Sequence, residues 1–156
     1  MTSWLQAMLV LALGLSMPVV SDAQTFPVDD STSQVVGGNV RMRWDQGAPL
    51  PGQRPTVSGE ITVLVRLNVS AWQGRQARIY MALPAQPAGP VNVSWSTRGR
   101  LLPGALRDGE RALVYAGPIQ TDFIEDTQRL LIRADGGKLV RSEQLKFSFE
   151  IDVESP

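Results

Sequence analysis

The chain has 156 residues, with Lys plus Arg at 15, Asp plus Glu at 15, and neither His nor Cys. That length fits one domain, and a net charge of zero supplies no field to draw the chain to nucleic acid or to an anionic membrane. Without His or Cys, a Ser-His-Asp or Cys-His site, a disulfide and the usual ligands of zinc, copper and iron are all excluded, which leaves calcium or magnesium on oxygen ligands as the open metal chemistry.

Residues 1–23 read as an export signal. Ala7–Leu15 is an uncharged apolar run, Ser16 and Pro18 break it, and Ser21 and Ala23 put small side chains at the −3 and −1 positions of a cleavage site before Gln24. The expected consequences are a mature chain with no membrane span and a periplasmic, cell-surface or secreted location. Residues 24–34 begin QTFPVDDSTS, polar with one Pro, and read as a flexible N-terminal arm. Residues 35–156 then read as one folded domain.

Within that domain the dominant period is two. Val40, Met42 and Trp44 alternate with Arg41 and Arg43, which predicts a first strand with Trp44 in the core. Asp45–Gly59 is rich in Pro and Gly and reads as a long loop. Glu60–Val69 is a second strand, with Ile61, Val63, Val65, Leu67 and Val69 on one face and Leu64 on the other. After a turn at Ser70–Gly74, Ala77–Leu83 forms a third strand and Val91–Trp95 a fourth. Thr97–Glu110 is polar and rich in Gly and Arg, a loop. Arg111–Ala116 and Thr127–Ala134 are the fifth and sixth strands, with a possible helical turn at Asp122–Arg129. Asp135-Gly136-Gly137 has hairpin-turn chemistry. The seventh strand has the clearest alternation, with Leu145, Phe147, Phe149, Ile151 and Val153 facing in. Short strands, frequent turns and no convincing helix predict an all-β chain: a single antiparallel β-sandwich, immunoglobulin-like, of about seven strands.

No P-loop and no G-x-G-x-x-G is present, no catalytic residue is singled out, and neither an enzymatic activity nor a cofactor is expected. Asp122, Glu125 and Asp126 lie within five residues and are candidate calcium ligands, although they lack the EF-hand spacing. Trp72, in a turn, together with Tyr80 and Tyr115 are candidate binding residues, because exposed aromatic rings can stack on a sugar or anchor a partner.

The stretch Gly89–Leu102 (GPVNVSWSTRGRLL), preceded by two alternating strands, resembles the central region of fimbrial subunits of the alternate chaperone–usher class. The resemblance implies a small, exported, Cys-free sandwich that serves as a structural subunit, with self-association or an assembly chaperone as its partnerships. Such subunits begin with an alternating strand that completes a neighbour. Gln24–Ser33 does not alternate, so Val40–Trp44 is the expected exchangeable element. Two functions are therefore carried forward: a non-catalytic structural or assembly protein of the bacterial cell envelope, and a periplasmic or extracellular module that binds carbohydrate or another small ligand.

Overall fold

The computed structural model describes residues 22–47, 50–52, 54–138 and 144–155, so most of the segment expected to be an export signal, 1–23, lies outside the described residues. The chain is all-β, and the described residues add one short 3-10 turn at Ser70–Trp72. Among the described residues ten strands form: β1 (Gln24–Val28), β2 (Gln34–Val36), β3 (Arg43–Trp44), β4 (Thr56–Asn68), β5 (Gln76–Ala82), β6 (Val91–Thr97), β7 (Gly104–Arg107), β8 (Arg111–Pro118), β9 (Phe123–Asp135) and β10 (Ser148–Val153). They make two antiparallel sheets. The smaller runs β1-β10-β5-β8, and the larger runs β2-β4-β9-β6-β7, with β3 pairing further along β4. Among the described residues no helix is long and apolar enough to cross a membrane.

The alternation of the sequence is what builds the sandwich. Ala77, Ile79, Met81 and Leu83 face in from one sheet, Val91, Val93 and Trp95 from the other, and all are buried. Phe149, Ile151 and Val153 of β10 complete the layer, next to Leu67, Val69 and Val114, which expose no surface. The Trp95 indole N–H donates to the Leu102 carbonyl at 2.9 Å, so the ring is buried with its one polar atom satisfied.

Counting β4 to β10 as seven main strands, the second pairs with the fifth and the third with the sixth, as in immunoglobulin sandwiches. The first, fourth and last strands lie in the opposite sheets from that arrangement: β4 pairs with β9, β7 with β6, and β10 with β5.

Several expectations need correction. The arm expected at 24–34 is ordered into the sandwich. Gln24–Val28 pairs with β10, Asp29 bridges to Asn68, and Gln34–Val36 pairs with β4, so this segment stitches one sheet to the other. Pro27 is tolerated there because β1 is an edge strand. The loop expected over Thr97–Glu110 contains β7, and the helical turn considered at Asp122–Arg129 is strand β9. The Asp135-Gly136-Gly137 turn forms, but it does not close a hairpin: β9 and β10 belong to different sheets. Phe147 and Leu145 are only partly buried and precede β10. The first expected strand shrinks to Arg43–Trp44, and Trp44 is 56% exposed rather than in the core.

Candidate functional site

The three candidate aromatics do not share a surface. Trp72 caps the sandwich, packed on the core and against Phe26 with ring centroids 6.0 Å apart. Tyr115 packs on the core too, and its hydroxyl donates to the Pro118 carbonyl at 2.6 Å. Tyr80 lies on the other face of the small sheet, under the Arg111 guanidinium, which sits 4.1 Å from the ring centre. Arg111 also reaches Asp152 at 3.2 Å and Glu150 at 3.3 Å, and the Thr25 hydroxyl donates to Asp152 at 2.6 Å. Burial opposes ionisation of Asp152, but Thr25 and Arg111 outweigh it and hold the carboxyl below its ordinary pKa. The Asp152 hydrogen bond in turn raises the pKa of Arg111. This network ties β1, β10, β5 and β8 together on the outer face and uses up the polar groups around Tyr80.

The acidic trio is dispersed as well. Among the described residues no group of three carboxylates is placed to hold a metal ion. Glu125 and Asp126 are neighbours on a strand, so they point to opposite faces. Glu125 lies outside, 2.7 Å from Arg66 Nε, at an angle that makes it a charge contact rather than a hydrogen bond. Asp126 accepts backbone N–H groups from Arg98, Gly99, Leu101 and Thr127. Asp122 accepts from the Gln73 amide.

The outer margin of β4, with β2 and β3 along it, carries four of the six exposed large hydrophobic residues among the described residues, Val35, Val36, Trp44 and Leu64. On one side β4 pairs with β9 along its whole length, Thr56 to Asn68. On the other side, among the described residues, Leu64–Thr62 and Ser58–Val57 pair with β2 and β3 respectively, and Asn68 bridges to Asp29. The reason is local. Gly37 and Gly38 adopt φ of 87° and 75°, left-handed values that glycine takes without steric cost, and they turn the chain out of the sheet. The chain then arches over Gly59, where an added Cβ would come within 2.8 Å of Met42 Sδ and 3.1 Å of the Arg41 carbonyl. Val40 and Met42 thereby pack on the core, so this segment is anchored rather than free. Just before β2, the Ser33 hydroxyl stands in for a strand partner: it accepts the Arg66 N–H at 2.8 Å and donates to the Arg66 carbonyl at 3.3 Å.

The margin that results is apolar. Val35 is 52% exposed, Val36 51% and Leu64 43%, and Trp44 lies at the far end. Val36 and Leu64 share the outer face, flanked by the exposed pairs Arg66–Glu125 and Arg129–Glu60. Exposed pairs of this kind contribute little to stability, about 0–1 kcal/mol each, and form a polar rim. Among the described residues no strand lies beyond β2 or β3. None of Val35, Val36 or the exposure of Trp44 stood out in the sequence; the signal that marks them is two adjacent valines followed by Gly-Gly, an apolar pair at a point where the strand must end.

The geometry thus defines an antiparallel β-sandwich with one interrupted, apolar sheet edge. Comparison with protein-family models and with curated proteins finds no match. Among solved structures, the chain is similar at 16% identity to an exo-β-1,3-galactanase from Phanerochaete chrysosporium, with a TM-score of 0.24. That alignment covers 85% of this chain and 29% of the other, and is too loose to carry an argument about fold or function.

Proposed function

We propose that this protein is a non-catalytic structural or assembly protein of the bacterial cell envelope, of the fimbrial-subunit kind, that associates with further copies of itself through the interrupted edge of its larger sheet. The observation that carries the proposal is the exposure of Val35 and Val36 on a three-residue edge strand beside a thirteen-residue neighbour. Sheet edges in stable monomers are usually blunted by shortness, by charge, by Pro or by cover; β2 is short, but the two valines it exposes carry no charge. A chain without net charge also has little repulsion to hold copies apart. The export signal expected at 1–23 and the resemblance of Gly89–Leu102 to fimbrial subunits support the envelope setting.

Two copies of β2 running antiparallel would place Val35 opposite its own counterpart, the self-complementary contact that a two-fold axis requires. The absence of Cys makes this simple to test. Val35→Cys introduces the sole thiol, and mild oxidation of the exported protein is expected to give a disulfide-linked dimer in high yield. A thiol placed instead at the exposed position Ala116 of β8 serves as the control for random collision. Equal yields at the two positions would contradict edge pairing.

A further inference from the structure

We infer that an ion pair between Asp29 of one copy and Arg43 of the other, made twice, selects the register in which two copies of this chain join their β2 edges. The inference deepens the edge pairing proposed above and rests on it. What the edge offers a partner is set by the phase of its backbone. The Arg66 N–H and carbonyl both meet the Ser33 hydroxyl, on the β2 side of β4. Alternate residues of a strand turn their backbone groups to the same side, so Leu64 and Thr62 also face β2, where Gln34 and Val36 answer them. Val35 lies between, with its own N–H and carbonyl directed to the open side. Two antiparallel copies therefore exchange both hydrogen bonds at Val35, on a two-fold axis.

The margin of β4 is symmetric about that residue in position and opposite in charge. Val35 stands beside Val63. Five residues further along β4, Asn68 is bridged by Asp29, and five residues back, Ser58 is paired with Arg43. Asp29, Val35 and Arg43 all occupy the line next to β4. A two-fold axis at Val35 thus brings Asp29 of each copy directly opposite the partner's Arg43. Asn68 lies between the buried Leu67 and Val69, and Ser58 between the buried Val57 and Gly59, so both are on the outer face of the larger sheet. Asp29 and Arg43 share that face with the residues they pair with, and an axis perpendicular to the sheet keeps them on it. Facing residues of antiparallel strands stand about 5 Å apart, within reach of a carboxylate and a guanidinium.

Both groups are exposed, and none of the ion pairs among the described residues involves either. Asp29 Oδ1 accepts the Ser31 N–H at 2.9 Å, which holds the carboxylate in its turn. Neighbouring registers lack the match. A slip of two residues that centres the axis on Val36 sets Asp29 against the partner's Asp45, which stands beside Thr56, so that carboxylate faces carboxylate. The opposite slip, centred on Gln34, carries Arg43 two residues past Asp29. Charge at the rim of a contact acts on register and encounter more than on strength, and the exposed valines supply the apolar contact between the two ion pairs.

The test is sedimentation velocity of the chain from Gln24 onward with Asp29→Arg, with Arg43→Asp, with both changes in one chain, and as an equimolar mixture of the two single variants. Each single variant turns two attractions into two repulsions and should weaken association by about tenfold or more. The double variant and the mixture should regain association close to wild type, because attraction returns at both contacts. Wild-type association should weaken as salt rises. Arg43 is exposed, so Arg43→Asp should keep the wild-type melting temperature. Asp29→Asn, which keeps an acceptor for the Ser31 N–H, should weaken association without lowering the melting temperature. A wild type that stays monomeric at every concentration overturns edge pairing, and this inference with it. Association that Val36→Lys abolishes but Arg43→Asp and Asp29→Asn leave unchanged overturns the ion pair alone, as does a failure of both the mixture and the double variant to recover while melting as wild type does.

Discussion

Asp126→Ala should be among the most damaging changes outside the apolar core. The Asp126 carboxylate accepts four backbone N–H groups: Arg98 at 3.1 Å, Gly99 at 2.8 Å, Leu101 at 2.8 Å and Thr127 at 2.6 Å. It gathers the chain that leaves β6, so that Leu101 enters the core at 2% exposure and the Leu102 carbonyl meets the Trp95 indole. Each hydrogen bond to a charged group has a net worth of about 1.5–3 kcal/mol, and burial of an orphaned N–H costs a comparable amount. Water can replace the acceptor at the exposed Arg98 and Gly99, but hardly at Leu101. The sum to be expected is about 3 kcal/mol, a large share of the roughly 5–15 kcal/mol that a domain holds, and a fall in melting temperature of about 10 °C. Asp126→Asn keeps one acceptor oxygen and turns an amide N–H₂ toward a donor, so it should lose about half as much. Circular dichroism melts of the chain from Gln24 onward, with and without calcium, read the effect. If Asp126→Ala melted within about 2 °C of wild type, or if calcium raised the wild-type melting temperature, the carboxylate would not be the clamp described.

Phe149→Ala, which empties a buried site in β10, should cost about 3–5 kcal/mol, whereas Phe147→Ala, half-buried ahead of the strand, should cost clearly less; denaturant titration separates them. Gln128 is 1% exposed with its side-chain N–H₂ unpartnered, so Gln128→Met should raise the melting temperature by removing a buried unsatisfied amide. Asp108 accepts the Gln86 and Val91 N–H groups at 2.8 and 2.9 Å, which holds its pKa below the ordinary 3.8. Because the folded-state value is the depressed one, its contribution is present above 3.8 and is lost as the pH falls through the folded value. Asp108→Ala should therefore melt below wild type at neutral pH, with the gap closing in acid. Expressed with residues 1–23 in a bacterial host, the protein should be exported and carry Gln24 at its N-terminus by mass spectrometry.

The elements legible in the sequence are those whose two faces meet different surroundings. Ala77–Leu83, Val91–Trp95 and Phe149–Val153 alternate because one side meets the opposite sheet and the other meets water. Edge strands carry less of this signal. β1 needs only Phe26 and Val28 to face inward, and Pro27 between them reads as a breaker although an edge accepts it. Trp44 has the parity of a core residue, since it pairs with Val57, but at the end of an edge strand no opposing sheet covers it. Glu125 and Asp126 look like a cluster in one dimension, and the pleat of β9 sends them to opposite sides. Asp135-Gly136-Gly137 announces a turn through local chemistry, while the sheet that receives the next strand is decided by contacts far away in the chain. The interrupted edge was hidden for a related reason. Val35 and Val36 carry no alternation of their own, and what exposes them is the glycine turn and the arch over Gly59 that follow.

Sedimentation velocity of the chain from Gln24 onward over a wide range of concentrations, beside Val36→Lys, tests the edge most directly. Val36 faces outward and is half exposed, so a lysine there changes the edge without entering the core. Wild type should associate reversibly as concentration rises, while Val36→Lys stays monomeric with an unchanged melting temperature. A wild-type protein that remains monomeric at every concentration, or a variant that associates as wild type does, would contradict the assignment of this edge as the assembly surface.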